Sequence, residues 1–570
     1  MEQDNQPKSS ENHPWIGSYP DGMRWDAPVR TYPIFEMLET TAEKYGDSGA
    51  VDFLGTKYTW SEIHDQALRL AKGLQDMGVA KGTKVGLFMP NCPYFIIAYY
   101  AIAKIGATAV NYNPLYAEAE LVNQIEDSET DVMITVDLEL THSKMLKMLS
   151  NTRLNKLVIC SFIDILPFPK NFLFKYLKGK ELADIPSDKR HVAYDDLIDN
   201  DGKPQDVQID VENDVAVLQY TGGTTGLPKG AMLTHANITA NVEQAGILLH
   251  MTRKGEDKMV GVLPFFHVFA MTAVMNISVL KGWEIVMLPR FDLDQTLKLI
   301  HKHKPQIFPA VPAIYTAINN HKKLASFDLT SLEFCISGGA PLPAEVKKKF
   351  EEKTGAQIFE GYGLTEAAPI LSCSVPGVDN KPGTIGPPFP QTVIQIVDPE
   401  DKTTLMPAGE RGELCAIGPQ VMKGYWNKPD DSASTLKEVD GQMRLHTGDI
   451  AIMDEDGFMY IVDRIKDLII TNGYNVYPRN VEEAIYKHPS VEECIVAGLP
   501  DTNRGEIVKA WIKRKEGREL TVEDLKKFLE DKISPMEIPK RVEFREEPLP
   551  KTMIGKLSRK DILEEELGKS

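Results

Sequence analysis

Between residues 60 and 136 the chain switches repeatedly between two hydrophobic periods, and this alternation restricts its fold more than any other feature. Ile63, Ala67, Leu70, Ala71, Leu74 and Met77 recur at helical spacing behind Ser61, a capping residue type, and stop at Gly78. Residues 85–89 form a short apolar run ended by Pro90, a strand pattern. A second helix is predicted over 94–105, a strand over 108–111, a helix over 117–128 and a strand over 132–136. Strands alternating with helices build βαβ units around a largely parallel sheet, so the fold class is α/β. No internal repeat accompanies the alternation.

A chain of 570 residues that is 42% hydrophobic and 26% charged has enough apolar material for a large core and a smaller companion. Its 64 basic and 82 acidic residues leave a net charge of −18, which argues against a nucleic-acid partner, because such binding needs Lys and Arg against phosphates. The six cysteines (Cys92, Cys160, Cys335, Cys373, Cys415 and Cys494) are widely spaced with no CxxC, as in a reducing cytoplasm. Residues 1–14 lack the basic-then-apolar layout of a signal peptide. The uncharged stretch 259–280 contains Pro264, His267 and Asn276, and reads as a strand, a turn and a buried helix rather than a membrane span.

Three departures from the alternating pattern divide the chain. Residues 1–35, rich in Pro, Gly and polar side chains, are expected to wrap the surface as an arm. Residues 165–180 interleave Phe168, Phe172, Phe174 and Tyr176 with Lys170, Lys175, Lys178 and Lys180, without an acid. Two readings stand for this segment: an insertion packing its aromatics on the body, or peripheral contact with an anionic membrane surface. From 457–464 a smaller unit begins, entered through the charge-dense Asp463-Arg464-Ile465-Lys466-Asp467, as a solvent-exposed hinge would be. The domain expectation is therefore an arm at 1–35, a body at 36–463 and a C-terminal unit at 464–570.

The sharpest local signal is Thr221-Gly222-Gly223-Thr224-Thr225-Gly226-Leu227-Pro228-Lys229-Gly230, which follows an apolar strand pattern at 215–220. Small residues let backbone N–H groups turn inward on a polyphosphate, the hydroxyls add donors, and Lys229 adds charge. It is not a Walker A loop, because Gly230 stands where that loop needs Ser or Thr after its Lys.

This run, with Gly361-Tyr362-Gly363-Leu364-Thr365-Glu366, Thr447-Gly448-Asp449 and Pro550-Lys551-Thr552-Met553-Ile554-Gly555-Lys556, resembles the adenylate-forming superfamily of acyl-CoA synthetases, adenylation domains and luciferases. The resemblance spans residues 32–560 in the family's order and spacing. It is nearest in character to bacterial long-chain fatty-acid–CoA ligases, which share the Pro14-Trp15 and Tyr19-Pro20 arm pattern, the Asp-Arg-x-Lys-Asp hinge and the Leu-Pro-Lys-Thr run. The resemblance implies a large adenylate-forming body of layered sheets and helices plus a small mobile C-terminal α+β domain.

It also implies a reaction and its residues. A carboxylate would attack the α-phosphate of ATP, and CoA would then take the acyl group as a thioester, with Mg²⁺ assisting. Positioned cations serve such a reaction better than acid–base pairs. Lys556 corresponds to the family lysine that reaches the carboxylate and α-phosphate oxygens. Ile554 stands where most members have Ser, a change that long-chain members share. Glu366 would hold Mg²⁺ and Thr365 the α-phosphate. Tyr362, flanked by Gly361 and Gly363, would stack on adenine opposite the tight backbone of Gly339 and Ala340, while Asp449 and Arg464 would contact the ribose. His267 matches a position at the mouth of the carboxylate site, Lys466 is the implied pivot, and Phe266, Met271, Val311 and Pro312 are candidates for the acyl slot. No Trp stands near Met271, where some long-chain members place a gate, so chain length stays open.

The expected partners are a fatty acid, ATP and CoA. A homodimer and peripheral contact at the inner membrane face are compatible with a cytoplasmic location. Aryl- or short-chain acid activation and acyl transfer to a carrier protein are the alternatives within the class. Luciferase-like oxidation shares every ligand motif. A binding protein that had lost its chemistry is the reading outside the class, but it should show erosion at Glu366, Asp449, Arg464 and Lys556, and all four are present.

Overall fold

In a computed structural model describing residues 13–221, 228–378, 380–472, 474–501, 504–552 and 555–568, the two hydrophobic periods resolve into four sheets. The eight-stranded sheet runs Ile370–Cys373, Gln357–Gly363, Phe334–Ser337, Ile307–Ala310, Lys258–Gly261, Glu284–Met287, Gly49–Phe53 and Thr56–Thr59 in spatial order. Its interior pairings are parallel, and only the two edge strands are antiparallel. The seven-stranded sheet runs His191–Ala193, Lys156–Cys160, Val132–Val136, Lys84–Phe88, Thr108–Asn111, Val215–Thr221 and Lys229–Thr234, again parallel except at its last pair. Parallel strands need covering on both faces. Ile134 and Val158 accordingly enter one core while Met133 and Leu157 enter a second.

The first core also contains residues of the eight-stranded sheet, among them Val51, Met259 and Ile285, so one hydrophobic interior joins both sheets. Within it lies the helix Pro93–Lys104, buried from Pro93 through Ala103 and apolar all round, as a helix enclosed by other elements should be. The stretch 259–280 becomes the strand Lys258–Gly261 followed by helical Val268–Ala270, a π-helical turn Met271–Asn276 and the helix Ile277–Lys281. No helix among the described residues is long and apolar enough to cross a membrane. The first amphipathic helix, Trp60–Asp76, is capped by Thr59 rather than Ser61. Thr59 Oγ1 accepts from Glu62 N at 3.2 Å while Glu62 Oε2 accepts from Thr59 N at 2.7 Å, a reciprocal box that Ser61 could not complete.

An antiparallel sheet follows, built from Val393–Val397, Arg411–Ile417, Leu436–Val439, Gln442–Met453 and Met459–Arg464. The last sheet contains Ile469–Thr471, Tyr474–Val476, Val491–Asp501, Gly505–Arg514 and Arg541–Arg545, all beyond Arg464. Its two faces carry separate small cores: Val496, Val508 and Ala510 lie on one, and Ile495, Leu499 and Trp511 on the other. The chain is thus an α/β body with a smaller α+β unit behind it. The six cysteines are all buried and unpaired.

The N-terminal arm crosses the antiparallel sheet. Trp15 is buried, Ser18 Oγ donates to Asp456 O at 2.9 Å, and Trp25 Nε1 donates to Thr392 O at 3.0 Å. Gly457, at φ +79°, turns the hairpin between Gln442–Met453 and Met459–Arg464 beneath this arm, and a Cβ there would lie 2.5 Å from Trp15 N. Gly457→Ala should therefore strain the turn and lift the arm at a cost of about 1–3 kcal/mol. A lowered thermal midpoint with faster proteolysis of the first thirty residues is the expected result, and an unchanged midpoint would remove the arm from this bracing role.

Candidate functional site

Successive parallel strands deliver the expected site residues to one edge of the eight-stranded sheet. Phe266 and His267 follow Lys258–Gly261, Val311 and Pro312 follow Ile307–Ala310, Gly339 and Ala340 follow Phe334–Ser337, and Gly361 and Tyr362 extend Gln357–Gly363 past its parallel register. Chain segments leaving the carboxyl ends of such strands are where ligands of open α/β sheets sit. The seven-stranded sheet contributes Thr221 and Lys229, which pair across its antiparallel end. Gln219 Nε2 bridges the two sheets by donating to Phe266 O at 2.9 Å. Gly222, Gly223, Thr224, Thr225 and Gly226 lie outside the described residues.

A second group comes from the antiparallel sheet. Asp449 and Arg464 are direct cross-strand partners, and Arg464 Nε lies 3.1 Å from Asp449 Oδ1. The other oxygen of Asp449 accepts from Tyr362 Oη at 2.6 Å. Burial and the nearby Asp449 charge push the Tyr362 phenol well above its ordinary range, so it stays a donor. Near Asp449 the pairing slips: Glu413 opposes Ile450 while Cys415 opposes His446. Such a bulge re-aims side chains, and Gly448, at φ +72°, takes the turn within it. Glu413 braces this turn from below, with Oε1 accepting from Gly448 N at 2.9 Å and Oε2 lying 2.8 Å from His446 Nδ1. Glu413, Cys415 and His446 place possible ligand atoms within 4.8 Å of one another, but both Glu413 oxygens are already engaged, and the cluster serves as hydrogen-bonded support.

The third group comes from the C-terminal unit. Residues 550–552 and 555–558 are drawn together, with Ser558 N donating to Pro550 O at 2.9 Å and Lys556 N to Thr552 Oγ1 at 3.2 Å, so the chain turns back on itself here. This turn reaches the body: a Cβ on Gly555 would lie 3.4 Å from Ala313 Cβ and 3.7 Å from Val311 Cγ2. Burial, then the Arg464 charge, lowers the Lys556 ammonium to about 8, with Asp449 opposing the shift. Lys466 is lowered as well, by burial first and by Arg464 second. Arg559 pins the turn to the hinge, pairing with Glu482 at 2.7 Å and Asp467 at 3.0 Å.

Glu366 lies in the single turn Thr365–Ala367, and its Oε1 accepts from Tyr425 Oη at 2.6 Å. Lys229 pairs with Asp431 and sits 5.3 Å over the Tyr425 ring. His267 Nδ1 accepts from Phe269 N at 3.2 Å, and burial lowers the imidazole to about 4, so the ring is neutral with its proton on Nε2. Met271 is fully buried, with Asn111 Nδ2 directed at its sulfur at 3.5 Å. The structure therefore brings Tyr362, Asp449, Arg464, Lys466 and Lys556 together, with Val311 touching the turn that carries Lys556. Glu366 and Lys229 meet at Tyr425, Thr365 opens the turn that carries Glu366, and Phe266, His267 and Met271 line the start of the helical segment after 263. Sequence reasoning missed Tyr425, Asp431, Glu413, His446 and Arg559. Tyr425 stood beside Gly424 as a small-residue–aromatic pair that could have signalled it, whereas the other four gain meaning only through partners distant in the chain.

The sequence model of the AMP-binding enzyme family matches residues 38–426, and that of the AMP-binding enzyme C-terminal domain matches residues 480–556. A long-chain-fatty-acid–CoA ligase of Bacillus subtilis (strain 168) is 44% identical over 557 residues, covering 97% of this chain and 98% of that one. Another, from Escherichia coli O6:H1, is 36% identical over 572 residues, with 97% and 98% covered. Among solved structures, the anthranilate CoA ligase AuaEII in complex with anthranoyl-AMP superposes with a TM-score of 0.83 at 25% identity, covering 95% of this chain and 99% of that one.

The brace beneath Asp449 makes a test that needs no ligand. Glu413→Ala removes the acceptor facing the buried His446 Nδ1 and should cost about 1–3 kcal/mol. Glu413→Gln, which keeps one acceptor, should recover part of it. Urea denaturation would measure both, and a Gln variant as stable as the parent would show that the Glu413 side chain only fills space.

Proposed function

The chain belongs to the AMP-binding enzyme family, and from that footing we propose that it is an ATP-dependent fatty-acid–CoA ligase acting on medium- to long-chain acids. The arrangement that carries the reading is Lys556, on a separate small unit, seated beside Asp449 of the body and Arg464 at the junction while Gly555 approaches Val311. Two units meeting at a cluster of cations suit a substrate that is at once an anion and an alkyl chain.

In the first step a carboxylate oxygen of the fatty acid attacks the α-phosphorus of ATP, and pyrophosphate leaves. Charge grows on the phosphoryl oxygens, and Lys556 meets it as a desolvated cation, where each interaction counts for more than in water. Thr365 donates to the same phosphate. Asp449 accepts the ribose hydroxyls while Arg464 holds its other side, and Tyr362, fixed by its bond to Asp449, presents its ring to adenine between Gly361 and the backbone of Gly339 and Ala340. Lys229 and the run 221–226 take the β- and γ-phosphates. Neutral His267 offers its Nε2–H at the mouth of the carboxylate site, and the alkyl chain lies along Phe266, Met271, Val311 and Pro312. In the second step the CoA thiol attacks the acyl carbonyl, the thioester forms, its proton is released and AMP leaves. Lys556 and the thiol cannot occupy one approach to that carbonyl, so the small unit turns about Lys466 between steps.

Glu366 suits the magnesium position on chemical grounds. It is a hard carboxylate with one oxygen held by Tyr425 and the other without a partner among the described residues. When bound there, Mg²⁺ supplies neutralising charge to the phosphates. The same reading takes an arm at 1–35, a body at 36–463 and a turning cap at 464–570, in a cytoplasmic protein that forms homodimers and contacts the inner membrane face peripherally.

Three measurements test this account. With Mg·ATP, CoA and an equimolar panel of acids from acetate to long-chain and aryl acids, mass spectrometry should show mainly medium- or long-chain acyl-CoAs. Aryl or short products would overturn the substrate, and acyl-adenylate alone would point to another acceptor.

Lys556→Ala should cut pyrophosphate release by about 10²–10³-fold yet spare thioester formation from preformed acyl-adenylate. Lys466→Pro should do the reverse. Equal loss of both steps in both variants would defeat the alternation.

Because the Lys556 ammonium lies near 8 and must be protonated to act, kcat/KM for ATP in the adenylation step should fall about tenfold per pH unit above that value. Lys556→Arg should move the falling limb upward, and an identical limb in that variant would assign it to another group.

A further inference from the structure

The helix Lys170–Leu177 is turned inside out. Phe168 is 85% exposed, Tyr176 81%, Leu177 73% and Phe172 65%, and Leu173 joins them on the same outward face. Five of the fifteen large apolar side chains that stand exposed among the described residues thus fall within ten positions. At helical spacing, Phe172 and Tyr176 share one row, where their rings stack at 6.4 Å, and Leu173 and Leu177 share the next. No side chain of the helix is fully buried.

The segment is nevertheless held firmly. Ile165 and Leu166 just before it are buried, Phe174 on its inner side packs 5.6 Å from Phe162, and Lys170 Nζ donates to Leu54 O at 2.7 Å. Ala183 N beyond it donates to Asp137 O at 2.8 Å. The sequence expectation that the aromatics pack on the body is met only by Phe174. The others are presented outward on a fixed mount, and a contiguous apolar patch of this kind marks an interaction site.

Charge identifies the occupant. Lys170, Lys175, Lys178 and Lys180 surround the patch, and the first acid after it is Glu181, which pairs with Lys178 at 2.9 Å. On a chain of net charge −18 this is a local reversal of sign, and in a two-fold contact with a second copy the patch would meet its own lysines rather than opposite charge. Aromatic and Leu side chains ringed by Lys fit the boundary between headgroups and acyl chains of an anionic bilayer. We propose that Phe168, Phe172, Leu173, Tyr176 and Leu177 insert into the headgroup region of an anionic membrane, with Lys175, Lys178 and Lys180 on lipid phosphates. This gives the peripheral contact assigned above a surface and a lipid chemistry, and it stands whether or not the acid that the enzyme activates is a fatty acid.

The test is cosedimentation of the full-length protein with vesicles of phosphatidylcholine, with and without phosphatidylglycerol. Binding is expected to the anionic vesicles, to fall as salt is raised, and to drop about tenfold or more in Phe172→Asp/Tyr176→Asp/Leu177→Asp. Lys175→Glu/Lys178→Glu should lose the preference for the anionic lipid while keeping the apolar face. Both variants change only exposed side chains, so near-UV circular dichroism and acyl-CoA formation from a water-soluble acid should match the parent. Equal binding by parent and triple variant would overturn the proposal. So would a dimer that dissociates in the triple variant by sedimentation velocity, because the patch would then be covered by a second copy. Failure of the ligase reading would appear separately, as absent acyl-CoA product with vesicle binding intact.

Discussion

Parallel pairing of the strands Lys258–Gly261, Ile307–Ala310, Phe334–Ser337 and Gln357–Gly363 is the constraint on which the site depends. Each of these strands lies between two neighbours in the sheet, so its backbone pairs on both sides, and parallel pairing sends every following loop out of the same edge. Residues separated by about a hundred positions in the chain become neighbours with no contact of their own. The body therefore supplies a row of backbone turns, and the chemistry comes from what the antiparallel sheet and the C-terminal unit place opposite that row.

Electrostatics then decides how those parts meet. Beyond burial, the Arg464 charge lowers the ammonium of both Lys466 and Lys556, and Asp449 and Asp467 partly offset it. Asp449 is committed on both oxygens, to Tyr362 and to Arg464. On the proposed function, a polyphosphate entering this cluster would relieve the crowding of positive charge and raise the Lys556 ammonium.

The chain displayed its large-scale plan openly. Period switching between 60 and 136 revealed the parallel sheet because buried strands and amphipathic helices cannot share one hydrophobic spacing. Asp449, Tyr362 and Lys556 were singled out through the motifs that carry the family resemblance, and the fold puts Tyr362 in a hydrogen bond with Asp449 and Lys556 within reach of the Asp449 charge. What escaped notice has a common cause. Thr59 displaced Ser61 as a cap because the cap depends on Glu62 reaching back, a geometric outcome rather than a residue type. The π-helical turn at Met271–Asn276 leaves no mark in an apolar run, and Glu413, His446, Asp431 and Arg559 acquire their roles from partners tens to hundreds of residues away. Residues 165–180 were recognised as unusual by composition, but only the packing of Phe174 shows which side of the helix faces outward.

The arm imposes an order on synthesis. Trp15 is buried against Gly457, so it cannot reach its place until more than four hundred further residues have been made. At about 5–20 residues per second this delay is roughly 20–90 s, during which Trp15 and Trp25 are exposed apolar groups on an otherwise folding body. A nascent chain of this protein thus carries, around Trp15, a segment open to chaperones and proteases. Its disappearance from solvent records that the antiparallel sheet has closed.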